Sequence, residues 1–432
     1  WHWEYGFLLL FSTLVQYYCA IQIEKNASQV TLKKLFLYLG IGTDLSMLFF
    51  FKYVDFVGSN IFSMANLLGF QPSWTHLNII LPVGISFYVF QTLSYTVDVY
   101  QGKMKAERDF SYFALYVSFF PQLVAGPIER ASYLLPQLKE TKVFSVVNLL
   151  DGGKLMVHGL FKKMVVADNL APFVDKVYAP NYPATGLEYA MATFAFMFQI
   201  YGDFSGYSDI ARGVAKVFGY ELMVNFKQPF FATTVSEYWQ RWHVSLATWV
   251  RDYIYIPLGG NKKGEQQEYV NLSISMFVMG IWHGAKWTMV AYAVINSISV
   301  VVSRAFQKHH VSCHPLPNKH INTFLHIILV LLVVWFQRIF FRSETIHQSF
   351  HIIQTIFAIP SHGNYLVLPI GLPITGAFFL FWVLVYDYYI AYGTSLSILK
   401  NAYLKIVYYT SLITVIAVFG VFKASQFIYF QF

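Results

Sequence analysis

The chain is short of charge, of cysteine and of any long hydrophilic stretch. Only 12% of its 432 residues are Asp, Glu, Lys or Arg, against about 25% in ordinary soluble domains. With 56% hydrophobic and 19% aromatic residues spread over the whole length, that shortage argues against a soluble protein and for helices that cross a membrane repeatedly. Length alone would suggest about three soluble domains, but no hydrophilic block is long enough to form one. Residues 1–432 therefore read as a single membrane domain. Two cysteines, Cys19 and Cys313, exclude a disulfide framework. Acidic residues are fewer than basic ones, 22 against 30, for a net charge of +8. In a membrane protein such an excess is the ordinary mark of loops kept on the inner side, so nucleic acid is not an expected partner. No Gly-x-Ser-x-Gly elbow occurs, which argues against a serine nucleophile in this chain. The opening WHWEYG lacks the basic stretch and cleavage motif of a secretory signal.

What is present is a series of apolar runs. They predict an all-α, polytopic protein with about eleven membrane-embedded helices, some re-entrant, around a central reaction chamber. Pro82 and Gly84 fall inside the run 78–102 and predict a kink there. Pro121, Gly126 and Pro127 break the run 110–128, and basic flanks on both sides predict a re-entrant hairpin. Lys154, His158 and Lys162 share one face of a helix over 148–167, which reads as an interfacial amphipathic helix. Asp203, Ser205, Ser208 and Asp209 are unusual in an apolar run. They read equally as polar lining of a chamber or as helix–helix hydrogen bonds beside the small residues Gly202 and Gly206.

Lys and Arg concentrate in 24–34, 102–109, 130–142, 241–263 and 393–405 and are missing from 58–77, 179–188 and 357–372. The first set is expected on the cytoplasmic side and the second outside, in a multi-pass protein. Arg338 and Arg342, at the end of the run 321–341, conflict with that scheme. His309, His310, Cys313 and His314 are soft ligands, yet Pro315 and Pro317 mark an irregular loop and no second ligand pair follows. No metal is expected there.

Two histidines stand apart. His243 lies among Trp239, Arg241, Trp242, Trp249 and Arg251; His283 follows an uncharged apolar run. A helix from Tyr269 to His283 would rise about 21 Å at 1.5 Å per residue, well inside a hydrocarbon core of about 30 Å. An ionisable ring at that depth is costly and by default lines a cavity or pathway. Taken singly, each histidine reads better as a ring bonded within the fold.

The surrounding segments carry a resemblance. NFKQPF at 225–230, EYWQRWHVSL at 237–246, WVRDYIYIPLGGNKKG at 249–264 and GIWHGAKW at 280–287 resemble the membrane-bound O-acyltransferase (MBOAT) family, and within it the membrane subunit of alginate-type O-acetyltransferases. Residues 78–102 and 194–213 are similar to it as well, so the motif core spans about 35–300. The resemblance implies that His283 is the catalytic base and His243 a second catalytic-site residue. It implies a substrate-binding set of Trp239, Arg241, Trp242, Arg251, Asn261, Lys262, Lys263 and Trp282, with Asp203 and Ser205 as polar lining. Positive-inside topology explains Lys262 and Lys263 about as well as substrate binding does. The implied donor substrate is cytosolic acetyl-CoA, with no permanently bound cofactor. The implied acceptor is an exported polysaccharide, reached through a separate periplasmic or surface partner of serine-hydrolase type. The IPLGGN-basic-Gly loop sets the resemblance apart from the D-alanyl-transferring branch. A transporter without chemistry would also explain broken helices and intramembrane polar groups.

Overall fold

A computed structural model describes residues 3–70, 73–77, 79–124, 126–309, 318–358, 373–392, 401–423 and 427–428. Among them no strand occurs, as the run pattern predicts. The chain forms two compact units, residues 1–153 with 211–223, and residues 154–210 with 224–432.

The first unit holds α1 (Tyr5–Lys25), α2 (Val30–Lys52), α3 (Val54–Leu67), α4 (Ile85–Tyr100), α5 (Phe110–Val117), α6 (Phe120–Leu123), α7 (Ala131–Lys139) and most of the first turns of α8 (Val146–Leu160). A polar clasp fastens α1, α2 and α4. Asp44 is fully buried and accepts hydrogen bonds from Ser12 Oγ at 2.7 Å and Thr92 Oγ1 at 2.6 Å. Gln16 Nε2 donates to the Gly40 carbonyl at 2.7 Å. A carboxylate out of water persists only with such donors. Pro82 and Gly84 do not kink a helix as expected; α4 begins after them. Gly84 is its N-cap at φ +78°, and a Cβ there would meet the Leu123 carbonyl oxygen at 2.4 Å. The stretch expected as an external loop from residue 58 is helical as far as Leu67.

The second unit contains α9 (Asp168–Val177), the greater part of α10 (Gly186–Val217), α11 (Val235–Arg241), α12 (Val244–Val250), α13 (Glu265–Trp282), α14 (Trp287–Lys308), α15 (Lys319–Arg342), α16 (Ile346–Phe357), α17 (Ile374–Ala391) and α18 (Ala402–Phe419). Six of the described helices are long and apolar enough to cross a membrane: α1, α2, α14, α15, α17 and α18. The expectation of about eleven embedded helices includes re-entrant and shorter ones besides these. The run 110–128 resolves into α5 and α6, of 8 and 4 residues, too short to cross a core that takes about 20.

Residues 148–167 are not an exposed amphipathic helix. Within the second unit the end of α8 packs backbone to backbone on α10. A Cβ on Gly206 would stand 2.7 Å from the Gly159 carbonyl oxygen, and one on Gly202 2.9 Å from that of Lys162. The chain continues through a π-helical stretch, Phe161–Ala167. There Lys162 Nζ meets Asp209 at 2.5 Å, and Lys163 Nζ meets Asp203 at 2.6 Å and Asp168 at 2.8 Å. Of the two readings of the α10 polar residues, close helix packing accounts for both glycines and both carboxylates. Residues 310–317, with three of the four soft ligands, lie outside the described residues, as do most of the segments 357–372 and 393–405 whose sidedness was assigned by charge.

Candidate active site

α11 and α12 are short helices, and His243 is the corner between them. α11 starts with reciprocal capping: Thr234 Oγ1 accepts from the Glu237 N–H at 3.1 Å, and Glu237 Oε2 accepts from the Thr233 N–H at 2.7 Å. Trp242 leaves the helix in an extended conformation, and His243 turns left-handed at φ +45°, ψ +55°. Among the described residues only Gln228 shares a positive φ without being glycine. That conformation costs a residue with a Cβ about 1–3 kcal/mol and has to be held by its surroundings. Asn225, from the NFKQPF segment, holds it. Its carbonyl accepts from the Val244 N–H at 2.9 Å and its Oδ1 from the Ser245 N–H at 3.2 Å. The His243 carbonyl accepts from the Ala247 N–H at 3.0 Å, which opens α12. The ring is 1% exposed, edge-on to Phe204 at 4.6 Å. It lies outside the six apolar spans, and burial pushes its pKa down to about 3, so it is neutral at physiological pH.

His283 is placed from the other side. α13 ends at Trp282, and His283 caps it with its N–H donating to the Gly280 carbonyl at 3.2 Å. A Cβ on Gly280 would lie 2.4 Å from that of Ala293, so only glycine lets α13 and α14 close to this distance beneath the turn. The His283 ring is 3% exposed, with centroid distances of 5.2 Å to Phe341 on α15 and 6.0 Å to Tyr292 on α14. Trp282 is in ring contact with both histidines, 6.1 Å from His243 and 5.0 Å from His283. Residues far apart in sequence thus converge on one indole.

Beside this cluster lies a cavity of about 690 Å³. Of the expected substrate-binding residues, Trp239, Arg251 and Asn261 line it, joined by Lys227, Tyr255 and Arg304. Met276, Met279, Leu272 and Val300 supply an apolar wall. Neither histidine lines it. Val244 in its wall directly follows His243, and Met279 precedes His283 by about one helical turn.

The other expected residues go elsewhere. Arg241 is tied to Glu237 at 2.5 Å and to the Gln228 carbonyl at 3.4 Å. Lys262 and Lys263 are exposed and outside the cavity wall. Trp242 is buried and stacks on Tyr238 at 5.6 Å with 17° between planes. Asp203 belongs to the lysine cluster and also accepts from the Ile428 N–H at 2.7 Å; Ser205 is buried on α10. The sequence reading missed Arg304 on the cavity wall and the inward turn of Arg338. Arg342 pairs with Asp175 at 2.8 Å, but Arg338 turns inward and is 2% exposed. The conflict those two arginines posed was the available signal.

The sequence model of the MBOAT, membrane-bound O-acyltransferase family matches residues 3–343. The chain is 35% identical to the probable alginate O-acetylase AlgI of Pseudomonas putida over 358 residues, covering 82% of this chain and 72% of that protein. It is 33% identical to the peptidoglycan O-acetyltransferase of Helicobacter pylori over 380 residues, covering 82% and 70%. Against the teichoic acid D-alanyltransferase of Bacillus subtilis it is 24% identical over 288 residues, covering 64% and 72%. A family model matching most of the chain, and relatives above 30% identity over 82% of it, show that the chain belongs to the membrane-bound O-acyltransferase family.

Proposed function

We propose that the protein takes an acetyl group from cytosolic acetyl-CoA and passes it across a bacterial inner membrane for O-acetylation of an exported polysaccharide. The observation that carries this reading is the cavity of about 690 Å³. Lys227 and Arg251 offer cations and Asn261 an amide to the donor's phosphates, Arg304 is held on the same wall by Glu268 at 2.8 Å, and Met279 leads toward His283. Relatives named for two exported glycans, alginate and peptidoglycan, match more of the chain at higher identity than the D-alanyltransferase does. That favours acetyl over D-alanyl transfer.

In the reaction, the acceptor hydroxyl gives its proton to a His283 ring nitrogen as its oxygen attacks the thioester carbonyl. The tetrahedral intermediate then expels coenzyme A, whose sulfur takes the proton back as the C–S bond breaks. His283 suits the base because it lies in the GIWHGAKW motif, with Met279 of the cavity wall about one helical turn before it. His243 suits positioning, since a ring whose pKa is near 3 is a poor proton acceptor at neutral pH. The acyl group is handed on to a periplasmic or surface partner of serine-hydrolase type, consistent with the missing serine elbow.

Sealed membrane vesicles of opposite orientation test the donor side. Inverted vesicles, with the cytoplasmic face outward, should consume added acetyl-CoA and right-side-out vesicles should not. Equal consumption by both would overturn the assignment of the cavity to a cytosolic donor.

A further inference from the structure

Arg338 is a guanidinium almost completely removed from solvent, on the most apolar of the candidate spans. A buried cation costs several kcal/mol and persists only where its surroundings are built for it. Here Nη2 donates to Tyr238 Oη at 3.1 Å and Nη1 to Tyr292 Oη at 3.3 Å. The guanidinium carbon lies 5.0 Å from the Trp242 ring centroid, 5.3 Å from Phe341 and 6.0 Å from Tyr292. Each partner leads to a histidine. Tyr238 stacks on Trp242, the residue before His243; Tyr292 and Phe341 are both in ring contact with His283. One planar fork therefore touches α11 and α14 from α15 and joins the two histidine corners.

We infer that Arg338 is a positioning residue for acyl transfer, setting the His283 ring through Tyr292 and Phe341 and the His243 corner through Tyr238 and Trp242. This rests on the acyl-transfer reading above. A fork matters more than a charge here, because two phenol oxygens on different helices must be reached in one plane, which lysine cannot do.

The test uses the full-length protein in lipid nanodiscs with acetyl-CoA and a soluble hydroxyl acceptor, comparing wild type with Arg338→Lys, Tyr292→Phe and Tyr238→Phe. Melting temperature and acetyl-CoA binding are measured on the same samples. A misplaced catalytic group costs about 100-fold in rate, so Arg338→Lys should lose kcat on that order while KM for acetyl-CoA changes less than about twofold. Tyr292→Phe keeps the ring against His283 and removes only the tie. It should lower kcat in the same direction by a smaller factor, and it decides the question if Arg338→Lys does not fold. Wild-type kcat in folded Arg338→Lys or Tyr292→Phe would overturn the inference, as would losses that merely track the amount of folded protein. If wild type itself transfers nothing under conditions that support donor binding, the acyl-transfer reading fails instead. Active wild type beside equally active variants sinks the positioning role alone.

Discussion

Along α10, Asp203 and Asp209 stand in apolar surroundings and are closed off by the chain's own lysines, Lys163 and Lys162. Around α11–α13 the fold also pairs its cations, Arg251 with Asp252 and Arg304 with Glu268, each at 2.8 Å, but both arginines stand on a cavity wall. Arg251, Lys227 and Arg304 face a cavity of about 690 Å³, and two buried imidazoles meet at Trp282 beside it. In sequence the two regions look alike, polar residues interrupting apolar runs. They differ in whether the ion pairs are shut inside helix packing or stand at the wall of a cavity. Closed clusters hold helices together where lipid offers no hydrogen bonds; the open one leaves room for a ligand.

That contrast is broken most severely at Lys163. Replacing it by Ala leaves Asp203 and Asp168 facing each other without their cation, and breaking a buried pair costs about 3–5 kcal/mol. Lys163→Ala should lower the melting temperature strongly while any protein that remains folded binds acetyl-CoA normally. Donor affinity that falls with stability intact would place Lys163 in the site instead. Arg251→Gln should do the reverse. Loss of a charge-assisted hydrogen bond costs about 1.5–3 kcal/mol, so calorimetry should show roughly tenfold to hundredfold weaker coenzyme A binding at an unchanged melting temperature. Unchanged affinity would return Arg251 to a purely topological role.

How much of this was legible follows from the kind of information each feature needs. Helix α15 begins and ends near the apolar run 321–341 that predicted it, because apolarity and length are local properties. The segments around His243 and His283 were legible as motifs, and Trp239, Arg251 and Asn261 do meet at one cavity. The start of α4 at Gly84 was not, since the restriction comes from the Leu123 carbonyl of a different segment. Arg338 was read only by its place near the end of a run. Its phenol partners, Tyr238 and Tyr292, lie on other helices at separations of 100 and 46 residues, beyond the reach of any local pattern. Lys162 was misjudged for the same reason: a lysine in an apolar helix looks interfacial until its carboxylate, here Asp209, is located.

A smaller effect should sharpen the comparison at His243. Its ring titrates near 3 in the folded protein instead of 6.5, because burial disfavours the charged form. The neutral ring's contribution is complete above pH 6.5 and is lost as pH falls from there toward 3. At pH 5 the loss is about 2 kcal/mol. Melting curves between pH 7.5 and pH 5 should fall for the wild type more than for His243→Gln. Parallel curves would mean that the ring is solvated and the corner is not the dry one described.

The central claim is that His283 faces the reacting groups and takes the acceptor's proton. Acetyl transfer by His283→Ala, measured beside melting temperature and acetyl-CoA affinity in the same preparation, tests it most directly. Loss of a general base lowers the rate by about 10²–10⁴-fold, and the account predicts that fall with folding and donor binding preserved. A stable, donor-binding His283→Ala protein that still transfers acetyl at close to the wild-type rate would contradict it.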